Sequence, residues 1–316
     1  MLYVSSNFKM SHQHEHNHQY NHAENLKGGP LAVAIGLNLF ITIAQVIGGL
    51  VAGSLSLLGD ALHNFSDVLS LLISYVANKL RGQHSTEHRT FGYKRAQILA
   101  AFINALTLIG VSVYLIIEAV ERLFEIQPVN SDYIMLFALA GIIVNGGSAV
   151  MLIKMQSGDS NIRSAYLHLL GDLATSFAVL VGGIAIHLYQ VYWLDSAITI
   201  LVSIYLILIA GKLFIHTINV LMQFVPSSIN IEEVSKRLQT IDGIDGLHHV
   251  HVWRLDDDTI HFEGHVKLSH DMPVSAFAKI KADVQAMLFH EFKINHCILQ
   301  PETESCGGNE LVVPEE

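Results

Sequence analysis

Six stretches of this 316-residue chain, roughly 31–53, 57–80, 94–123, 131–154, 163–188 and 192–216, are almost uninterruptedly apolar. Each is close to the ~20 residues that an α-helix needs to cross a bilayer. Backbone at that depth has no water to bond, so segments of this kind can only be helices packed together. With 51% hydrophobic residues, 15% charged residues and a mean hydropathy of +0.41, an ordinary soluble enzyme is excluded. The fold class expected is therefore an α-helical membrane protein with six transmembrane helices.

Loop charge gives an orientation. Lys79, Arg81, Arg89, Lys94 and Arg95 flank the connection after the second window, and Lys154 and Arg163 the one after the fourth. The connections after the first and fifth windows carry no Lys or Arg, and the one after the third only Arg122. Positive charge stays inside, so both termini are expected in the cytoplasm. Residues 1–29 are hydrophilic, and no cleavable signal precedes the first window.

Beyond the sixth window the pattern becomes that of a soluble module. Residues 231–239 suit a short amphipathic helix, and 248–254 and 259–268 alternate as a β-hairpin around Asp256, Asp257 and Asp258. Pro273 opens a second helix, and KINHCILQ reads as a closing strand. The expected domains are a His-rich tail over 1–29, a membrane domain over 30–220, an αββαβ domain over 221–302 and a tail over 303–316. From Pro226 onward 16 Asp or Glu oppose 7 Lys or Arg, a net of −9 out of the chain's −10, a poor match to nucleic acid. Cys297 and Cys306 are too few for a disulfide framework.

Ionisable groups inside apolar helices narrow the function. A carboxylate at mid-bilayer costs on the order of 3 kcal/mol, which makes it a functional candidate by default. The second window carries His63 and Asp67, and the fifth repeats the Leu-His-x-x-x-Asp spacing with His168 and Asp172. Positions i and i+4 share a helix face. Two such helices facing each other would offer two imidazoles and two carboxylates, a donor set that suits Zn²⁺. Small residues beside them, Ser66, Ser70, Gly171 and Ala174, favour close helix approach. Asp60 is a weaker candidate, since its place near the start of the second window also suits a helix N-cap. Asn104, Asn145 and Gln97 read as interhelical hydrogen-bonding groups.

The motifs LHNFSD and LHLLGD, the RTFGYKRAQ stretch opening the third window and the αββαβ module together resemble the cation diffusion facilitators, in particular their zinc-exporting members. The resemblance covers most of the chain. It implies a homodimeric, proton-coupled metal exporter with a metallochaperone-like cytoplasmic domain and with His63, Asp67, His168 and Asp172 as transport site. It also implies Zn²⁺ as substrate and regulatory ligand, Cd²⁺ as a second substrate, and a plasma (inner) membrane location. For the cytoplasmic domain it singles out His248, His265 and His296, with Glu302, as metal ligands. His249 and His251, and likewise His261 and His265, are expected to share strand faces.

Two further histidine groups stand apart. His12, His14, His16, His18 and His22 crowd the amino-terminal tail, as in tracts that capture metal loosely. His14 to His18 also spell HExxH, without the helix and core a protease site needs. His84 and His88 lie between the second and third windows, where some family members have a His after Phe-Gly and this chain has Tyr93. The rival readings are an intramembrane metal-dependent hydrolase and a membrane-anchored metal sensor acting through the soluble domain.

Overall fold

The computed structural model describes residues 28–81, 85–154, 160–304 and 310–312; side chains are described throughout these except at 28–35, 148–149, 151–169 and a few positions late in the second helix. Six long helices come first: α1 (Gly28–Ala52), α2 (Leu55–Arg81), α3 (Ala96–Phe124), α4 (Ser131–Lys154), α5 (Ser160–Tyr189) and α6 (Trp193–Leu221). Among the described residues, α3, α6 and Leu170–Tyr189 of α5 are long and apolar enough to cross a membrane, and shorter apolar helical stretches span Gly36–Ala52 and Ser131–Gly147. Large apolar side chains such as Phe40, Leu50, Ile143 and Leu201 point outward and are exposed, the reverse of a water-soluble bundle.

The bundle is organised around α2, which touches α1, α3, α4, α5 and α6. Close approach depends on missing side chains. A Cβ on Gly171 would stand 2.7 Å from the Tyr205 hydroxyl, and one on Gly141 would stand 2.6 Å from Gln45 Nε2. Both distances are shorter than real contacts allow, so these glycines set the α5–α6 and α1–α4 spacing.

The start of α2 is capped from another helix. Asp195, 2% exposed on α6, accepts hydrogen bonds from Ser54 Oγ (2.6 Å), Ser56 Oγ (2.5 Å), Leu55 N (2.9 Å) and Ser56 N (3.4 Å). Helix N-termini leave backbone donors without intrahelical partners, and a carboxylate there also meets the positive end of the dipole. Asp60 is five residues into α2 and takes no part in this cap, contrary to the N-cap reading of its position.

The carboxyl-terminal module follows in the expected order: α7 (Ile231–Leu238), β1 (Ile244–Arg254), β2 (Ile260–Leu268), α8 (Val274–Phe292) and β3 (His296–Glu302). The sheet order is β1-β2-β3, with β1 antiparallel and β3 parallel to β2. Alternation along the strands puts Val250, Val252, Ile260, Phe262 and Val266 into one core with Val234, Leu238, Val284 and Leu288 of the helices. Asn230 caps α7 by accepting from Glu233 N, and Lys293 closes α8 in the left-handed region at φ 60°. The Arg237–Glu291 ion pair links α7 to α8.

The module meets the bundle through aromatic and histidine contacts. His216 of α6 lies 2.9 Å from Asp257 in the β1–β2 turn, and Phe91, before α3, sets its ring edge-on to His261 at 5.6 Å. His261 also stacks on Trp253 and lies 4.5 Å, ring to ring, from His296. Burial pushes the His261 pKa down, with His296, Lys94 and Arg95 acting the same way and Asp256 opposing.

Two outcomes follow from these contacts. Asp195→Ala leaves four donors without their acceptor, whereas Asn230→Ala removes one exposed cap worth about 1 kcal/mol. Thermal unfolding of the detergent-solubilised chain is expected to show the larger loss for Asp195→Ala, and the reverse order would contradict the cap. The lowered folded pKa of His261 means that its contribution to stability is complete above the ordinary histidine value of about 6.5 and is lost as pH falls toward the lower folded value. Acidification is therefore expected to lower the unfolding midpoint less in His261→Gln than in the parent; equal drops would argue against a proton on this ring.

Candidate metal-binding sites

α2 and α5 pack against each other, which brings three ionisable side chains together. His63 Nε2 lies 2.7 Å from Asp172 Oδ1 on the facing helix and 3.8 Å from Asp67 Oδ2 one turn along its own. The three side chains can offer ligand atoms that all lie within 4.8 Å of one another. Position 168 falls on α5 one turn before Asp172, but the His168 side chain lies outside the described residues. An imidazole nitrogen flanked by two carboxylates either shares a proton with them or, once deprotonated, gives its lone pair to a metal. Proton and metal thus compete for one nitrogen.

The three groups differ in access. The side chains of His63 and Asp172 are 3% and 5% exposed, and that of Asp67 is 28% exposed. Asp67 is the member nearest the end of α2 that leads into the Lys- and Arg-bearing connection.

Around these three side chains lies a set of polar groups on five helices. Asp60, fully buried, accepts from Gln45 Nε2 (3.0 Å) on α1 and from Thr175 Oγ1 (2.9 Å) and Ser176 Oγ (2.8 Å) on α5. Asn64 Nδ2 donates to Gln45 Oε1 (2.9 Å), and Asn145 Nδ2 of α4 reaches Asn64 Oδ1 at 3.4 Å. Asn104 of α3 donates to Ser66 Oγ and Ser70 Oγ on α2. Asn104 and Asn145 thus make the kind of interhelical bonds expected of them. Gln45, Thr175 and Ser176 were not singled out from the sequence; the only signal available was a polar residue in an apolar window, which many helices carry without consequence.

A second cluster sits in the sheet. His248 Nε2 is 3.0 Å from Glu302 Oε2, and His265 Nδ1 is 2.9 Å from Glu302 Oε1, so one carboxylate bridges two imidazoles on adjacent strands. The set of four expected here divides. His296 pairs across the sheet with His261 rather than with His265, whose β3 partner is Gln300, and so lies apart from Glu302's cluster. The physical reason is register, since His296 is six residues before Glu302 on β3. A bulge in β1 between His248 and His251, with His249 at φ 52°, breaks the strict alternation. His248 and His249 consequently both contact His265, at 5.4 and 4.7 Å between ring centroids, while His249 and His251 stay neighbours at 5.2 Å.

The remaining candidates contribute less. His88 is exposed and, among the described residues, belongs to no group of three metal-ligating side chains. His84 and the tail residues His12, His14, His16, His18 and His22 lie outside the described residues. Cys297 is buried, which pushes its thiol up to about 12 and leaves little thiolate to bind metal.

Comparison with known proteins matches both halves of the chain. Residues 31–222 match the cation efflux transmembrane domain, and residues 226–304 match the cytoplasmic domain of cation efflux proteins. The metal cation efflux system protein CzcD of Cupriavidus metallidurans is 33% identical over 276 residues, 87% of each chain. Zinc transporter ZitB of Escherichia coli is 30% identical over 304 residues, 95% of each chain. The cadmium, cobalt and zinc/H(+)-K(+) antiporter of Bacillus subtilis is 30% identical over 275 residues, 86% of this chain and 88% of that protein. With membrane and cytoplasmic domains matched in order, and relatives aligned over most of its length, the chain belongs to the cation efflux, or cation diffusion facilitator, family.

Proposed function

We propose that this protein exports Zn²⁺, and Cd²⁺ as a second substrate, across the plasma (inner) membrane in exchange for protons. The observation that carries the proposal is the meeting of His63, Asp67 and Asp172 from two helices inside the membrane domain. The relatives support it by name: two are a zinc transporter and a cadmium, cobalt and zinc antiporter. In this reading all six long helices span the bilayer, both termini are cytoplasmic, the protein works as a homodimer, and His168 is the fourth ligand.

Proton coupling follows from the chemistry of the site. Metal entering from the cytoplasm displaces a proton from His63, because an imidazole nitrogen cannot hold both. On the far side protons compete for the same nitrogen, so a pH gradient can drive the exchange. Asp67 and Asp172 offset the charge of the dication, which the surrounding apolar helices could not do. A hydrolase would need a positioned general base as well. Among the described residues no glutamate joins the group.

The cytoplasmic cluster of His248, His265 and Glu302 is the candidate for a regulatory Zn²⁺. Its two imidazoles and one carboxylate sit on three adjacent strands, so bound metal would stiffen the sheet without touching the transport path.

Transport in reconstituted vesicles under an imposed pH gradient tests the first claim. Asp172→Ala is expected to abolish Zn²⁺ flux in protein that still folds, and flux at the parent rate would sink the proposal. For the second, Zn²⁺ is expected to raise the unfolding midpoint of His63→Ala by mass action. Adding Glu302→Gln should remove most of that rise; an undiminished rise would place the metal elsewhere.

A further inference from the structure

Among the described residues Asp60 is the most completely enclosed carboxylate of the bundle, and the metal chemistry described above makes no use of it. It stands one turn from His63 on the same helix, at the side of the site away from the exposed Asp67. Both of its oxygens are occupied: Oδ1 accepts from Thr175, and Oδ2 accepts from Gln45 and Ser176. Most of its acceptor capacity is thus taken by the neighbouring helices rather than left for a cation. Asp60 acts instead as a fastener between α1, α2 and α5. The single Thr175 hydroxyl proton is shared between Asp60 Oδ1 and the backbone carbonyl of Asp172, also 2.9 Å away, so the fastener grips the same turn of α5 that carries a ligand.

What lies beyond Asp60 gives the fastener its meaning. On that side Ala52, Leu57, Ile134, Ala138, Val179 and Ile186 form a buried apolar cluster drawn from α1, α2, α4 and α5. A dication leaving in that direction would have to cross it without ligands. Opening the cluster by a movement of α5 relative to α2 breaks the bonds from Thr175 and Ser176 to Asp60. Removing them inside an apolar bundle leaves polar groups unsatisfied, so the closed arrangement is held until new partners or water arrive.

We propose that Asp60 is a positioning residue for transport: with Thr175 and Ser176 it latches the outer side of the metal site shut while the inner side is open. This rests on the reading of the protein as an exporter, although the latch itself can be tested without transport. Loss of the latch moves population from the inward-open to the outward-open form. The apparent affinity for metal loaded from inside then falls in proportion to the inward-open fraction that remains.

The test uses the full chain carrying Val179→Cys, a position fully buried in the apolar cluster. Labelling by a membrane-impermeant maleimide is read at that peptide by mass spectrometry, beside Zn²⁺ flux in vesicles. The parent thiol is expected to be protected. Adding Asp60→Ala, or Thr175→Val together with Ser176→Ala, should raise the labelling rate and the KM for Zn²⁺ by about tenfold. Restoring the hydroxyl with Thr175→Ser in place of Thr175→Val should bring both part of the way back, which a general loss of packing would not do. Unchanged labelling in folded Asp60→Ala would overturn the latch. So would a transport-dead Asp60→Ala beside a double variant with parent KM and labelling, because Asp60 would then be a cation ligand. If Asp60→Ala does not fold, the double variant, which keeps the carboxylate, decides alone. Labelling as expected in a chain that moves no Zn²⁺ would uphold the latch and sink the exporter reading instead.

Discussion

The contact between His63 on α2 and Asp172 on α5 is the interaction around which the membrane domain is arranged. Neither group is stable in an apolar interior by itself, because each would lose its hydration without return. Each is held because the other is 2.7 Å away. That requirement brings α5 against α2, which also touches the four other long helices. Asp60 and Asp195 follow the same logic, each surrounded by hydroxyl, amide or backbone donors from a neighbouring segment.

The chain therefore uses buried polar groups in two distinct ways. Asp195 and Asp60 are satisfied by donors within the protein. His63, Asp67 and Asp172 are gathered with a partly exposed carboxylate at one end, an arrangement whose repulsion between carboxylates a dication would relieve. The sheet repeats the second pattern, with Glu302 holding two imidazoles from adjacent strands.

Much of this was legible from residue order. The apolar windows agree with α1 to α6 to within a few residues, since a period of 20 apolar residues admits one backbone solution in lipid. The αββαβ order was legible from alternation and from Pro273. The pairing of His63 with Asp67 was legible because i and i+4 lie on one face. Local spacing did not reveal that His296 would register with His261, or that a bulge at His249 would turn two consecutive histidines toward His265. Strand register depends on the whole sheet, and one residue of slippage reverses every face.

The sequence by itself determined the medium this protein folds in, the identity of its two paired motifs and the family it joins. These depend on local hydrophobicity and on spacing along a single helix. Only the tertiary structure decided that Asp60 belongs to a four-helix network rather than to a helix cap, and that the cap of α2 comes from Asp195, 140 residues away from Leu55. Hydrogen bonds across helices are set by which faces meet and how closely. Packing of all six helices settles that together, and no short stretch of the chain contains it.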